Sequence, residues 1–463
     1  MSLHMRFLPD EPITHLDADL LGYSEFVTDI ETAIRYTQTP FVYGVLGDWG
    51  TGKTSILRLL EARFTADQSD DDRPLYVVPI WFNAWEYETE TNLIYPLLHA
   101  VKRSFADFEK QHKSRIDATK FLEAFRDVAA TSAFALGDIG FRAATKLLTG
   151  DAYKLGDLKT IYDDIWKRQE VTDALEGWTN QLEKLKDAFA TLLTAYKTAI
   201  IGAVSGLPSD TVRFVILIDD LDRCLPDTTI RMLESIKNYL TVPDAVFVLA
   251  LNARVVYQGI RHKYGQSEVS GREYLEKILN YTFYVPEPDA EHLVAFAVQR
   301  MDTLLPDEVI RTVYKGYFDD FGHAMRDCNF NNPRKIKRVL NRYLMLLNKY
   351  DGLAERNRRT AEFTGKRLNE YYFLPTLVRL LMIAEYFPDE FMLMMDHLDN
   401  VSSDKLRSFE LDPFQNHIGY RLIDRHPQLG RMHDLFNLRA HSHKDAPNLR
   451  IHARIVFGVT RLL

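Results

Sequence analysis

The chain has 463 residues, of which 46% are apolar and 26% charged, and its formal net charge is −8. This composition is typical of a folded globular protein with about two to four domains. The negative charge argues against a chain coated with nucleic acid, although it leaves room for a local basic patch. Two cysteines, Cys224 and Cys328, match no metal-ligand spacing and indicate free thiols in a reducing compartment. No charge-free apolar run reaches the roughly 18 residues that cross a bilayer, so we expect a cytoplasmic protein without a membrane span.

The first motif along the chain is a glycine-rich loop between a strand and a helix. The run FVYGVL, residues 41–46, predicts a strand, and TSILRLLE, residues 54–61, predicts a helix. Between them, GDWGTGKT has the spacing of the loops whose backbone N–H groups cradle phosphates. The residues predicted to contact the nucleotide are Gly47, Asp48, Trp49, Gly50, Thr51, Gly52, Lys53, Thr54 and Ser55.

Three side chains of this loop have separate predicted roles. Lys53 should reach the β- and γ-phosphates, and the Thr54 hydroxyl should bind Mg²⁺. Trp49 is large for a loop that favours small residues, so its ring either packs against aromatic neighbours or lies exposed for a partner. We favour packing, because exposed tryptophans need a reason. The candidate neighbours are Trp81, Phe82, Trp85 and Tyr87.

Four more apolar runs, at residues 75–82, 213–219, 244–252 and 281–285, alternate with helical stretches. They predict an α/β fold with a doubly wound parallel sheet. Lys-, Ala- and Leu-rich sequence at helical spacing predicts a helical insertion, and the C-terminal part is helical in pattern. The predicted domains are a first core part (1–105), the insertion (106–204), a second core part (205–290), a helical lid (291–350) and a C-terminal helical domain (351–463).

Consecutive acids follow the third apolar run, in the segment RFVILIDDLDRC. Asp219 is expected to bind Mg²⁺, and Asp220 to orient the attacking water as a catalytic acid–base residue. Alternatively, Asp220, Asp222 and Arg223 form a solvated cluster at a helix start, where acids are favoured. We favour catalysis for Asp220, because a hydrolase needs a base at this position.

Two asparagines end predicted strands. Asn252 can contact the γ-phosphate or the attacking water, or it is an ordinary turn asparagine. Asn83 ends the second strand at the edge of the sheet where open α/β sheets bind ligands. Either asparagine could hydrogen-bond Asp220 and gate its activity.

Residues 331–347, NNPRKIKRVLNRYLMLL, predict an amphipathic helix with a cationic stripe. Three interpretations stay open. The stripe is a solvated helix face, or Arg334 contacts the γ-phosphate from a lid over the nucleotide, or the stripe binds nucleic acid. The stripe consists of Arg334, Lys337, Arg338 and Arg342. Separately, the candidates for an arginine supplied across an oligomer interface are Arg223, Arg254 and Arg272.

Taken together, the motifs resemble the KAP family of P-loop NTPases. The likeness rests on GDWGTGKTS, FNAWEYE and ILIDDLDRC, with weaker support from YLEKILNYTFYVPEP and NPRKIKRVLN, and it covers residues 41–342. The resemblance implies an additional-strand P-loop fold related to AAA+ and STAND ATPases, and ATP rather than GTP. It also assigns Lys53 and Thr54 to phosphate and Mg²⁺, Asp219 to the metal, and Asp220 to catalysis.

The resemblance further implies a biological setting. Several family members act in bacterial phage exclusion or defence, and animal relatives are membrane signalling scaffolds. Many members carry transmembrane helices in the interval that here spans about residues 100–205, which is too polar to cross a bilayer. We therefore expect a Mg²⁺-dependent ATPase in anti-phage defence or a related signalling complex, acting with protein partners or by self-association. The alternatives are a slow nucleotide switch and an ATPase stimulated by nucleic acid.

Overall fold

The computed structural model describes residues 7–67, 75–88, 93–112, 118–135, 176–204, 211–264, 271–304 and 331–358, with a few isolated positions elsewhere. The chain divides into two units. The first unit contains residues 12–18 and 23–286, and the second contains residues 1–11, 19–22 and 287–463. The five predicted domains stay a prediction, and a helix at Ile94–Gln111 crosses the predicted boundary at residue 105.

A parallel sheet forms the centre of the first unit. Its strands are β1 (Phe41–Leu46), β2 (Tyr76–Asn83), β3 (Val212–Asp219), β4 (Ala245–Leu251) and β5 (Tyr281–Tyr284). They lie in the order β2-β3-β4-β1-β5, and every neighbouring pair is parallel. The five apolar runs are therefore confirmed as strands. Because β4 separates the loop-bearing β1 from the acid-bearing β3, the sheet has the additional-strand arrangement.

Burial explains why these sequences form strands. Every residue of β4 is buried, and β3 is buried except at Arg213. Such strands read as continuous apolar runs because helices cover both faces of a parallel sheet. β2 is an edge strand, which accommodates Pro79 because a proline cannot donate a hydrogen bond to a ladder.

The helices of the first unit connect and cover these strands. They are α1 (Tyr23–Tyr36), α2 (Lys53–Asp67), α3 (Ile94–Gln111), α4 (Thr119–Ala135), α5 (Glu176–Ala203), α6 (Pro226–Ser235), α7 (Ala253–Tyr264) and α8 (Gly271–Ile278). Short helical turns lie at Leu16–Ala18, Trp85–Tyr87, Leu221–Arg223 and Ile236–Leu240.

The predicted insertion is mainly helical in its described residues, which form the end of α3 from residue 106, α4 and α5; residues 136–175 lie outside the described residues. Its aromatic side chains join the core of the sheet. Phe105 stacks on Phe121 with ring centroids 3.7 Å apart, and Tyr196 of α5 lies 5.1 Å from Phe214 of β3. Within the described part of the chain, no helix combines the length and apolar character needed to cross a membrane.

The second unit contains α9 (Ala290–Leu304) and α10 (Pro333–Arg358). The predicted amphipathic helix is thus confirmed as the first part of α10. The Asn332 side chain accepts a hydrogen bond from the Lys335 backbone N–H at 3.2 Å, as expected of a cap, and Pro333 occupies the first turn. The predicted apolar face is buried at Ile336, Val339, Leu340, Tyr343 and Leu344.

Candidate nucleotide-binding site

The glycine loop, the acids after β3 and Asn252 after β4 meet at one edge of the sheet. They do so because β1, β4 and β3 are adjacent and parallel, so their carboxyl ends point the same way. The Gly47 backbone N–H donates to the Leu251 carbonyl at 3.2 Å, which ties the start of the loop to β4. The sheet order therefore assembles the predicted site from three separated segments.

Backbone conformation explains two of the loop glycines. Gly50 and Gly52 have φ values of 85° and 93°, a left-handed region that favours glycine. A Cβ atom on Gly52 would also lie 2.9 Å from a ring carbon of the buried Tyr23. The Tyr23 hydroxyl donates to the Thr51 carbonyl at 2.8 Å, a contact from α1 that the sequence did not reveal.

The loop leads directly into the positive end of a helix. Because α2 begins at Lys53, the N–H groups of its first turn have no acceptors within the helix. These donors and the helix dipole favour a bound anion such as phosphate.

Lys53 is buried, with 8% of its surface exposed. Its ammonium donates to the carbonyls of Gly47 at 2.8 Å and Asp48 at 3.1 Å. It also lies 3.7 Å from a carboxylate oxygen of Asp222. Burial lowers the pKa of Lys53, and neighbouring carboxylates, Asp222 foremost, oppose that shift. The lysine is thus a buried cation inside the loop, where a phosphate group can be bound.

Asp219 and Thr54 form the second half of the site. Asp219 ends β3 with 2% exposure, and its carboxylate accepts a hydrogen bond from the Thr54 hydroxyl. Its Oδ2 is buried and has no hydrogen-bond partner within the described part of the chain. Burial raises the pKa of Asp219. An unpartnered carboxylate oxygen beside a hydroxyl is the hard oxygen donor set that suits Mg²⁺, so these two residues fit the metal.

Asp220 turns the chain out of β3. Its φ of 55° is left-handed, and its carboxylate Oδ1 forms an ion pair with Arg223 Nε at 2.8 Å. Burial, followed by the charge of Asp219, raises the pKa of Asp220 to about 6, while Arg223 opposes the rise. A carboxylate with a pKa in this range is suited to accept a proton near neutral pH.

The alternative in which Asp222 belongs to a solvated cluster is wrong, because Asp222 is buried. It lies in the short helical turn Leu221–Arg223 with only 3% exposure, and its Oδ2 has no hydrogen-bond partner among the described residues. The turn directs it inwards, towards Lys53. The position three residues after Asp219 was the available signal, because one helical turn can return a side chain to the same side.

Comparison with known proteins identifies the family. Residues 23–350 match the KAP family P-loop domain. The chain belongs to the KAP family. It carries that family's nucleotide-binding P-loop domain, and the sheet order and glycine loop agree with a P-loop NTPase fold.

Two individual proteins are similar to this KAP chain. The Phage T7 exclusion protein of Escherichia coli (strain K12) is 20% identical over 368 residues, which cover 75% of this chain and 44% of the relative. This chain therefore spans less than half the length of that relative. The solved structure of the ORC2 protein of Aeropyrum pernix, in ADPNP and ADP complexes, aligns over 99% of this chain and 98% of that chain, with 13% identity and a TM-score of 0.35.

The two asparagines that end strands of the KAP chain, Asn83 and Asn252, cap turns with their side-chain oxygens. Asn252 is 7% exposed; its Oδ1 accepts from the Arg254 backbone N–H at 3.0 Å, and its Nδ2 lies 3.5 Å from Asp48 Oδ1. Asn83 Oδ1 accepts from the Trp85 backbone N–H at 3.0 Å. Asn252 therefore turns its amide group towards the loop, whereas gating of Asp220 by either asparagine stays a prediction.

The remaining loop residues have structural contacts. The Thr51 hydroxyl donates to the Asp48 carbonyl at 2.8 Å, and the Ser55 hydroxyl accepts from the Ile13 backbone N–H at 3.3 Å. Trp49 is 54% exposed. The structure therefore agrees better with the less favoured alternative, an exposed Trp49 ring, than with packing against the aromatic neighbours.

The predicted aromatic neighbours have other contacts. The Arg58 guanidinium lies 3.3 Å from the centre of the Trp81 ring, and Phe82 stacks on Tyr87 with centroids 5.8 Å apart. Because the rings of Trp81, Phe82 and Tyr87 already contact these other side chains, they offer less surface for packing against Trp49.

Arg334 lies in the second unit, on α10, and forms an ion pair with Asp10. Lys337 donates to the carbonyls of Pro9 at 3.3 Å and Glu11 at 3.2 Å. The other two cations of the stripe, Arg338 and Arg342, pair with the buried Glu385. The stripe is thus engaged by protein groups, which weakens the nucleic-acid alternative, and a role of Arg334 at the γ-phosphate stays a prediction.

Proposed function

We propose that this KAP protein hydrolyses ATP in a Mg²⁺-dependent reaction in the cytoplasm. The observation that carries the proposal is the buried, unpartnered Oδ2 of Asp219, next to the Thr54 hydroxyl and at the end of the strand that leads to Asp220. A buried carboxylate oxygen without a partner costs free energy, so its presence at this edge of the sheet favours a ligand-binding role.

The residues divide the reaction between binding and proton transfer. Lys53 and the N–H groups at the start of α2 bind the β- and γ-phosphates. Thr54 and Asp219 hold Mg²⁺, which supplies neutralisation of the phosphate charge when bound. Asp220 orients a water molecule for in-line attack on the γ-phosphate and accepts its proton, while the bond from the γ-phosphorus to the bridging oxygen breaks and ADP leaves. Asn252, with its amide group directed at the loop, contacts the γ-phosphate or that water.

Phosphate release with Mg²⁺, with EDTA, and by a Lys53→Ala variant tests this proposal. We expect ATP hydrolysis by the wild-type protein with Mg²⁺ and a loss of at least about 100-fold with EDTA or in Lys53→Ala, because charge neutralisation dominates phosphoryl transfer. A Lys110→Ala variant is the control, since Lys110 is exposed and pairs with Asp107 of its own helix. Hydrolysis that is unchanged in Lys53→Ala would contradict the proposal.

We also propose that the ATPase acts in phage exclusion, together with protein partners or as a self-associated assembly. Support comes from the similarity to the Phage T7 exclusion protein over 75% of this chain. Plaque formation on bacteria that express the wild-type chain, Lys53→Ala or no protein tests the role. Fewer plaques with the wild type than with either control are expected, and equal plaque numbers across a panel of phages would contradict it.

A further inference from the structure

The aromatic motif FNAWEYE has no role in the proposed chemistry, yet it contacts the acids. It forms the end of β2 and the short helical turn Trp85–Tyr87. β2 pairs with β3 in a register that places Asn83 opposite Asp219, and the Ala84 backbone N–H donates to the Asp219 carbonyl at 3.0 Å. The motif is therefore attached to the backbone immediately before Asp220.

A second contact joins the same turn to Asp220 through a side chain. Arg223 Nε forms an ion pair with Asp220 Oδ1 at 2.8 Å, and the Arg223 guanidinium carbon lies 5.1 Å from the centre of the Trp85 ring. The Trp85 indole N–H in turn donates to Glu88 Oε2 at 3.1 Å. These contacts form a continuous series: Glu88, Trp85, Arg223, Asp220.

We propose that Arg223 is a positioning residue for Asp220. Trp85, held by Glu88, affects catalysis by holding Arg223 in place. The inference rests on the proposed function, in which Asp220 orients the attacking water. Asp220 has a left-handed backbone and follows the end of a strand, so the ladder hydrogen bonds of β3 do not fix its side chain. A guanidinium presents its donors in a rigid plane, so one that is itself held by an aromatic face restricts the carboxylate to one orientation.

Exposure supports a positioning role over simple stabilisation. The side chain of Arg223 is 31% exposed and that of Asp220 is 14% exposed, so the ion pair itself contributes little to folding. Arg223 was a sequence candidate for an arginine that acts across an oligomer interface. Its contacts within its own chain favour a role beside Asp220 instead.

The test compares kcat, KM and ATP affinity in Arg223→Gln, Arg223→Lys, Trp85→Leu and Trp85→Phe. We expect Arg223→Gln and Trp85→Leu each to lower kcat about tenfold while KM and the ATP dissociation constant change less than about twofold, since misplacement of a catalytic group affects the chemical step. Trp85→Phe keeps an aromatic face and should recover most of the rate. Arg223→Lys, which lacks the planar fork, should not. Lys110→Gln, which removes an exposed lysine–aspartate pair of α3, is the control and should have no effect.

Two further measurements separate this inference from its alternatives. The Arg223→Gln/Trp85→Leu double variant should be no slower than Arg223→Gln, and neither substitution should lower the residual rate of an Asp220→Asn protein, because both act through that carboxylate. Arg223→Gln should also change the fluorescence that Trp85 contributes, obtained by difference from Trp85→Phe.

The results distinguish two failures. If the wild type hydrolyses ATP in an Asp220-dependent way but Arg223→Gln keeps its full kcat, or if the substitutions still act in the Asp220→Asn background, the positioning role is wrong. If the wild type shows no Asp220-dependent hydrolysis, the proposed function fails and the positioning role with it.

Discussion

A carboxylate oxygen of Asp222 lies 3.7 Å from the ammonium nitrogen of Lys53, and both side chains are buried. Lys53 otherwise contacts only backbone carbonyls of the loop, so far as the described residues show. Asp222 is thus the nearest anionic partner of the cation that is expected to bind phosphate.

Removal of Asp222 should destabilise the protein through Lys53. We expect Asp222→Ala to lower the free energy of unfolding by about 2 kcal/mol, because the buried ammonium then loses its carboxylate. Urea denaturation without nucleotide measures the effect in a double-mutant cycle with Lys53→Ala. The double variant should lose at least about 1 kcal/mol less than the sum of the single variants. Losses that add within about 0.4 kcal/mol would show that the two residues do not interact energetically.

Gly52 should tolerate no side chain. Gly52→Ala introduces a methyl group at a φ of 93° and within 2.9 Å of the Tyr23 ring, so the loop must distort. We expect at least about a tenfold loss of ATP affinity, measured by titration with a fluorescent ATP analogue. Gly202→Ala is the control, because a Cβ atom there meets nothing within 4 Å and Gly202 lies in α5. It should leave affinity unchanged, and equal effects of the two substitutions would contradict the argument.

Asn252 combines a capping oxygen with an amide directed at the loop, and two substitutions separate these functions. Asn252→Ser retains a capping oxygen for the Arg254 backbone N–H but removes the amide. We expect its free energy of unfolding to fall by less than about 0.5 kcal/mol and its kcat to fall about tenfold. Asn252→Ala should lose about 1 kcal/mol as well as the rate. Full activity of the Asn252→Ser variant would show that Asn252 serves only as a helix cap.

Cys224 should be unreactive in the folded protein. Burial, followed by the charge of Glu88, raises the pKa of its thiol to about 12, and the thiolate is the reactive species. In a Cys328→Ser protein, iodoacetamide at pH 8 should alkylate Cys224 at least about tenfold more slowly in the folded protein than in the protein unfolded by urea. Because the folded pKa is the higher one, the associated stability is complete below the ordinary pKa of 9.0 and is lost as pH rises towards 12. Equal alkylation rates in the folded and unfolded protein would show that Cys224 is accessible.

The sheet and the loop could be predicted because their signals are local. A buried parallel strand needs a continuous apolar run, as in Ala245–Leu251, and a phosphate loop needs glycines at fixed spacing. The orientation of Asp222 could not be predicted, because the same letters suit a solvated helix start or an inward turn. The exposed ring of Trp49 and the contact of Arg223 with Trp85 were also beyond the sequence, since such contacts depend on the packing of distant segments.

The most direct test of the account separates ATP binding from hydrolysis in Asp220→Asn. This substitution keeps the size of the side chain but removes the carboxylate that is proposed to accept the proton of the attacking water. We expect the variant to bind ATP within about threefold of the wild-type affinity and to release phosphate at least about 100-fold more slowly in a single turnover. Release of phosphate at the wild-type rate would contradict the catalytic assignment of Asp220 and, with it, the proposed mechanism.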